Sequence, residues 1–306
     1  MEEKQSLLQI LQKKGVFVSA PCGGNGKCKK CAVRFLKGAT EPTLKDREVF
    51  SDAQLADGMR LACLSYPVGE YEVEIPEKEE KMEILTGFEN EKTTGQNKNS
   101  DFLQTESYGI AIDIGTTTLA AVLLNLITGK ICKTASFVNH QRIYGADVIS
   151  RIEASNNGKK WEMQKCIRQD LKGLILELAG MQNIQLHQIK EIVMAGNTTM
   201  CHLLCGYSCE TLGIYPFTPV NTDFVEEKAG KLLGFKDMTA DVTILPGISA
   251  FVGADIVAGI ASCHLMRDAK YRMLLDIGTN GEMVLCNNEK VYVTSAAAGP
   301  ALEGGN

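Results

Sequence analysis

Tyr108-Gly109-Ile110-Ala111-Ile112-Asp113-Ile114-Gly115-Thr116-Thr117-Thr118-Leu119-Ala120-Ala121-Val122-Leu123-Leu124 reads as strand, tight turn, strand. One apolar run ends in a carboxylate, a Gly-Thr-Thr turn follows, and a second apolar run leaves it. The same order returns at Met273-Leu274-Leu275-Asp276-Ile277-Gly278-Thr279-Asn280-Gly281-Glu282-Met283-Val284-Leu285. Asp-Ile-Gly-Thr stands in the same context both times, which implies an internal repeat and a duplicated domain. A single such turn would fit any buried strand that ends tightly. Two copies ask for a shared purpose.

That purpose is legible in the residue types. Each strand carries one carboxylate, Asp113 or Asp276, to its end. The turns are built from Gly115, Thr116 and Thr117 in the first copy, and from Gly278, Thr279 and Asn280 in the second. Their backbone N–H groups and hydroxyls can wrap phosphate oxygens while the carboxylate holds Mg2+ through water. Two such hairpins facing each other across a cleft would grip the phosphates of one nucleotide. The sequence has no G-x4-G-K-[ST] loop, so this is not a Walker A site. A third segment, Glu191 to Leu204, reads as a strand, a Gly196-Asn197-Thr198-Thr199 turn that caps a helix, and then that helix. Cys201, Cys205 and Cys209 fall at i, i+4 and i+8, roughly on one helical face, with His202 beside them. They could ligate a second metal or cluster, but such a stripe is more often small apolar packing, and no glycine-rich loop accompanies it.

Ahead of the repeat lies Pro21-Cys22-Gly23-Gly24-Asn25-Gly26-Lys27-Cys28-Lys29-Lys30-Cys31, a C-x5-C-x2-C loop, with Cys63 32 positions beyond Cys31. Three clustered thiolates on a glycine-rich loop plus one remote thiolate suit a 2Fe-2S cluster, which needs four terminal sulfur ligands. The glycines let the loop curl and aim N–H groups at an anionic cluster. Zinc stays open as an alternative, although its four-thiolate sites usually pair two short knuckles and only one is present. A disulfide framework is disfavoured by an odd total of 11 cysteines and no signal peptide. The flanks agree with a ferredoxin: apolar residues at helical spacing over Ser6–Leu11 with Gly15 after them, a strand from Cys31 to Phe35, the segment Arg60–Cys63, and a closing strand at Tyr71–Pro76. The β-hairpin that normally precedes the first helix of such a module is missing.

At 306 residues, 44% hydrophobic and 23% charged, the chain has room for two or three domains of ordinary globular composition. A net charge of −5 argues against nucleic acid as a partner. No apolar run approaches the roughly 20 residues of a membrane helix. Abundant cysteine without a secretory signal implies a reducing, cytoplasmic setting and an anaerobic cell. Residues 77–107 are charged and polar and read as a linker.

Taken together, the motifs resemble the ATP-dependent reductive activators of corrinoid proteins. The resemblance rests on Cys22, Cys28, Cys31 and Cys63, on the Ile112–Thr118 hairpin, on Asn139-His140-Gln141-Arg142-Ile143-Tyr144-Gly145-Ala146-Asp147 and its continuation to Ile152, on Gly196–His202, on Asp276–Glu282, and on Ser295–Gly304. It implies a fold: an α+β ferredoxin-like (β-grasp) 2Fe-2S domain, then an α/β ASKHA domain, the RNase H-like duplicated fold of acetate and sugar kinases, heat-shock chaperones and actin. The boundaries are 1–76 for the cluster domain, 77–107 for the linker, 108–271 for the first ASKHA half and 272–306 for the start of the second. It also implies an activity: an electron from a low-potential donor passes through the cluster to cobalt(II) of a corrinoid iron-sulfur or methyltransferase corrinoid protein, giving cobalt(I) in an ATP-linked reactivation.

In that family the second ASKHA half extends well past the equivalent of Asn306, which implies either that the sequence is a fragment or that this version lacks a complete nucleotide site. Apolar faces in 273–302 would then be uncovered unless a second copy, as in a homodimer, packs on them. Two other readings stand beside the activator: a ferredoxin-like electron carrier whose ASKHA part is a non-catalytic docking module, and a kinase or ATPase with a regulatory cluster.

Overall fold

The computed structural model describes residues 5–14, 16, 18, 20, 24, 26, 28–76, 107–278 and 280–297. Cys22, Thr279, Gly15, nearly all of the 77–107 linker and the motif residues after Ala297 lie outside the described residues. By contacts the chain divides into two units, Met1–Glu80 with His140–Met163, and Lys81–Asn139 with Gln164–Asn306. The segment 140–163, read from sequence as part of the first ASKHA half, thus groups with the first unit.

In the first unit, helix α1 (Leu7–Lys13) starts at Ser6, whose hydroxyl accepts the N–H of Gln9 while the Gln9 side chain accepts the N–H of Ser6. Such a reciprocal cap contributes about 1 kcal/mol. Leu7, Leu8 and Leu11 point inward. Strand β1 (Ala32–Lys37) is the centre of a three-stranded antiparallel sheet, flanked by β2 (Met59–Leu61) and β3 (Glu72–Glu74). Two short helices, α2 (Leu44–Val49) and α3 (Asp52–Ala56), lie between β1 and β2 in the chain. Val33, Phe35, Leu55, Leu61 and Ala62 join the α1 leucines in one core. Asp46, buried on α2, accepts the N–H groups of Thr43 at 2.7 Å and of Leu61 at 2.8 Å, so it pins β2 just before Cys63. Helix α4 (Val148–Ala154) belongs here too. Asp147 caps it, and the buried Arg151 donates from Nε to Gly145 O at 3.0 Å.

The second unit is built on a six-stranded sheet in the order β6-β5-β4-β7-β9-β8. Its strands are β4 (Tyr108–Ile114), β5 (Thr118–Asn125), β6 (Ile131–Val138), β7 (Ile189–Gly196), β8 (Val225–Lys228) and β9 (Asp241–Ile244). β4, β7 and β9 run parallel, and the remaining pairs are antiparallel. Helix α5 (Lys160–Gln182), most of it in this unit, buries Ile167, Leu171, Leu174, Ile175 and Leu178 at helical spacing. Gly173 brings it against the Phe137 ring, where a Cβ would come within 2.9 Å.

Helices α6 (Thr198–Cys205), α7 (Ala229–Leu233) and α8 (Ala254–Ser262) follow β7, β8 and β9. A separate antiparallel sheet, β10 (Arg272–Ile277), β11 (Asn280–Cys286) and β12 (Val291–Ala297), carries the second Asp-Ile-Gly repeat. One face of it, with Leu274, Val284, Cys286 and Val293, joins Ile256 and Ile260 of α8. On the other face Met273, Leu275 and Ile277 are more than half exposed.

Candidate functional site

Two groups of residues carry chemistry, one in each unit. In the first, β1 begins directly after Cys31 and β2 ends two residues before Cys63. Their pairing, Ala32 with Leu61, together with the Ala62 N–H donated to Cys31 O at 2.8 Å, brings the two thiols together. Cys31 Sγ and Cys63 Sγ are 3.3 Å apart, and both residues are buried. That is far beyond the about 2.0 Å of a disulfide and near the roughly 3.8 Å between two sulfurs on one tetrahedral metal with bonds of about 2.3 Å. Cys28 is half-buried on the same loop. Gly24 at φ +90° and Gly26 at φ +67° take left-handed backbone that a side chain would strain. Lys45 Nζ donates to Gly26 O at 3.0 Å and holds a positive charge against the loop, which suits an anionic group. Among the described residues no three Cys, His, Asp or Glu groups converge on one metal-sized point. Cys31 and Cys63 are the two sulfurs that the fold brings together here, and Cys28 lies three residues before Cys31 in the chain.

In the second unit the parallel strands β4 and β7 stay in register to their carboxyl ends, where Ile114 pairs with Gly196. Here the sheet order turns, since β4 continues toward β5 on one side and β7 toward β9 on the other. Such a switch point opens a crevice at the strand ends, the usual ligand position in an α/β sheet. Asp113, Gly115, Thr116 and Thr117 sit at the end of β4, and Asn197 at the end of β7. Gly115 is required, because a Cβ there would lie 2.4 Å from Thr118 O. Asn139 Nδ2 donates to Gly115 O at 2.8 Å and Asn197 Nδ2 to Thr116 Oγ1 at 3.0 Å.

The second repeat contributes Asp276, Gly278 and Asn280, and the fold adds two carboxylates that the sequence reading did not select. Glu282 stands directly opposite Asp276 across β10 and β11. Asp255 lies in the first turn of α8. Asp113 is raised to about 6, first because protein crowds it on most sides although water reaches it at the strand end, then by Asp255 and Asp276. Asp255 is also raised to about 6, by burial first and then by Asp276, against the N–H of Ile256 it accepts at 2.8 Å. Glu282 is pushed up to about 7 by burial, then by Asp255 and Asp276, although Ser295 Oγ donates to it at 3.4 Å. Asp255 and Asp276 thus lie close enough to Asp113 and Glu282 for their charge to disfavour ionisation there, although among the described residues no three such groups converge on one metal-sized point.

The cysteine stripe does not persist as a helical face. Gly206, at φ +77°, ends α6, so Cys209 falls beyond the helix and is buried separately. Burial raises the thiol pKa of Cys201 strongly and that of Cys205 to about 11, which keeps both protonated and disfavours metal ligation. His202 is a buried structural residue. Its Nδ1 donates to Thr198 O at 2.8 Å and its Nε2 accepts the N–H of Val220 at 3.0 Å. Burial lowers its pKa.

Three family models match the chain in order: a 2Fe-2S iron-sulfur cluster binding domain over residues 1–68, the RACo middle region over 108–268, and the C-terminal domain of RACo, the ASKHA domain, over 270–306. The corrinoid activation enzyme RamQ of Eubacterium limosum is 29% identical over 343 aligned positions, spanning 95% of this chain and 58% of that protein. The Co(II) methylated amine-specific corrinoid protein reductase of Methanosarcina barkeri is 23% identical over 216 positions, 64% of this chain and 37% of its own. The solved structure of a reductive activator for corrinoid, iron-sulfur protein matches with TM-score 0.63 at 25% identity, covering 100% of this chain and 62% of that one. The chain thus spans less than two thirds of the length of each of these relatives. The α+β cluster-binding domain and the ASKHA-type domain expected from sequence are both present. Among the described residues no helix is long and apolar enough to cross a membrane.

Proposed function

This chain belongs to the RACo family, whose middle region matches more than half of it, and on that premise we propose that it delivers single electrons to a corrinoid protein, reducing cobalt(II) to cobalt(I) in an ATP-linked reactivation. Cys22, Cys28, Cys31 and Cys63 would hold a 2Fe-2S cluster, which when bound supplies a one-electron carrier. The buried Cys31–Cys63 pair, 3.3 Å apart without a disulfide, is the observation that carries this part.

Asp113, Gly115, Thr116, Thr117, Asp276, Gly278, Thr279 and Asn280 would hold the phosphates of Mg-ATP. In that site Asp255 and Glu282 add negative charge that a bound Mg2+ relieves. The chain's residues position and neutralise, and no side chain is assigned a covalent role. The partners in this reading are a corrinoid protein and a low-potential electron donor in the cytoplasm, with a second copy of the chain on the open face of the β10–β12 sheet. The role of 77–107 is that of a linker between domains at 1–76 and 108–306.

An anaerobic absorbance and EPR measurement tests the first part. A coloured protein with a signal on one-electron reduction is expected, and a colourless protein holding zinc would reject it. The cobalt(II)-to-cobalt(I) absorbance change, followed with a corrinoid protein and with or without Mg-ATP, tests the second. Reduction that is indifferent to Mg-ATP would favour the simple electron carrier instead.

A further inference from the structure

Helix α2 reaches the thiol segments through three side chains. Lys45 Nζ donates to Gly26 O at 3.0 Å, two residues before Cys28. Glu48 Oε2 accepts from Lys29 Nζ at 2.8 Å, one residue after Cys28. Asp46 Oδ1 accepts the N–H of Leu61 at 2.8 Å, two residues before Cys63. One short helix therefore fixes the chain on both sides of Cys28 and on the approach to Cys63.

The three contacts differ in charge. Glu48 and Lys29 compensate one another. Asp46 is buried, and its carboxylate also accepts the Thr43 N–H at 2.7 Å and the Thr43 hydroxyl at 2.6 Å. Among the described residues the Lys45 ammonium meets a neutral carbonyl and no carboxylate within ion-pair distance. Its positive charge stays uncompensated against the loop. A 2Fe-2S cluster on four thiolates is anionic and gains one more negative charge on one-electron reduction. An uncompensated cation beside the loop favours the reduced form over the oxidised one.

We propose that α2 is an electrostatic clamp on the thiol loop and that Lys45 is its positioning residue, holding the loop through Gly26 and raising the reduction potential of the cluster. The inference rests on the cluster reading above and deepens it, since it names what sets how readily the cluster accepts an electron. The test is an EPR-monitored potential titration of the full chain, with dithionite supplying the electron. Lys45→Gln should move the one-electron equilibrium about threefold toward the oxidised form, a midpoint lower by about 28 mV at about 59 mV per decade. Lys45→Arg keeps the charge and should stay near wild type. Glu48→Gln leaves Lys29 uncompensated and should move the equilibrium the other way. Lys37→Gln removes the same charge at the far end of β1, where Lys37 pairs with Glu70 at 3.0 Å, and should leave the midpoint unchanged. The gap between wild type and Lys45→Gln should narrow as salt is raised, because Lys45 is exposed.

An unchanged midpoint in Lys45→Gln would overturn the proposal. An equal fall in Lys45→Arg would reduce Lys45 to a loop tether, and an equal fall in Lys37→Gln would make the effect one of overall charge; either overturns it as well. If Lys45→Gln assembles no cluster, Glu48→Gln decides, and a midpoint that does not rise there overturns the clamp. Wild type that shows no EPR signal on reduction, or that holds zinc, would overturn the cluster reading itself, and this proposal with it, before any variant is compared.

Discussion

Glu282 faces Asp276 directly across two strands, an arrangement of like charges that costs stability wherever nothing binds between them. Glu282, Asp113 and Asp255 are all raised above their unfolded values, to about 7, about 6 and about 6. Between the unfolded values near 4 and these folded ones, the native chain keeps protons that the unfolded chain has released. Its stability is therefore greatest at the acid end of that window and falls as pH rises through it. Ion pairs such as Asp268 with Arg272 act in the opposite sense, but only at lower pH, since Asp268 is held down at about 2. The nucleotide-free protein should melt lower at pH 8 than at pH 5.5. Glu282→Gln should flatten that slope by an amount on the order of 1 kcal/mol, and added Mg2+ should restore stability at pH 8. A slope unchanged by Glu282→Gln in thermal melts would remove Glu282 from the cluster.

At this scale the sequence offers candidates whose chemistry is local: the four cysteines, of which Cys22 lies outside the described residues, and the two strand-end aspartates. Asp255 stayed hidden because its meaning comes from where α8 starts in space. Glu282 did carry a signal, since any antiparallel hairpin around Gly278 sets it near Asp276. The first repeat has Ala120 opposite Asp113, so comparing the two copies pointed away from it.

Among the elements, helices and strands followed their periodicity closely because each has a local cause. Ser6 starts α1, and Asn197 starts α6. The misread element was α6. Its cysteine spacing suited a longer helix, but Gly206 adopts a left-handed conformation and stops it. The order β6-β5-β4-β7-β9-β8 could not be read from sequence, because parallel pairing of β4 with β7 joins segments separated by two strands and the helices α4 and α5. Close glycine contacts are equally invisible until elements meet. Gly253→Ala should destabilise by about 1–3 kcal/mol, since its Cβ would strike the backbone at Gly196 and Asn197. Gly180→Ala, on an open face of α5 with nothing within 4 Å, should stabilise by about 0.5–1 kcal/mol. Denaturant melts of the two variants moving in the same direction would contradict this reading of the packing.

For the whole molecule, the decisive feature is that two kinds of chemistry occupy separate units of one chain. The thiols Cys28, Cys31 and Cys63 belong to the first unit, and the carboxylates Asp113, Asp255, Asp276 and Glu282 to the second. Each group is organised by its own sheet, β2-β1-β3 for the thiols, and the six-stranded and β10–β12 sheets for the carboxylates. If the function needs both, the two should be separable by substitution and yet both be required. Cys28→Ser removes a loop thiol without entering the buried core, so it should abolish the EPR signal and cobalt(I) formation while Mg-ATP affinity stays within about twofold of wild type. Asp113→Asn should do the reverse: an intact cluster signal, Mg-ATP binding weakened about tenfold or more, and cobalt reduction that no longer responds to ATP. Cys205→Ser, on a protonated thiol in α6, should leave the cluster signal unchanged. Loss of Mg-ATP binding in Cys28→Ser would show that the two units are not independent, whereas ATP-stimulated reduction persisting in Asp113→Asn would place the nucleotide elsewhere than at the paired Asp-Ile-Gly turns.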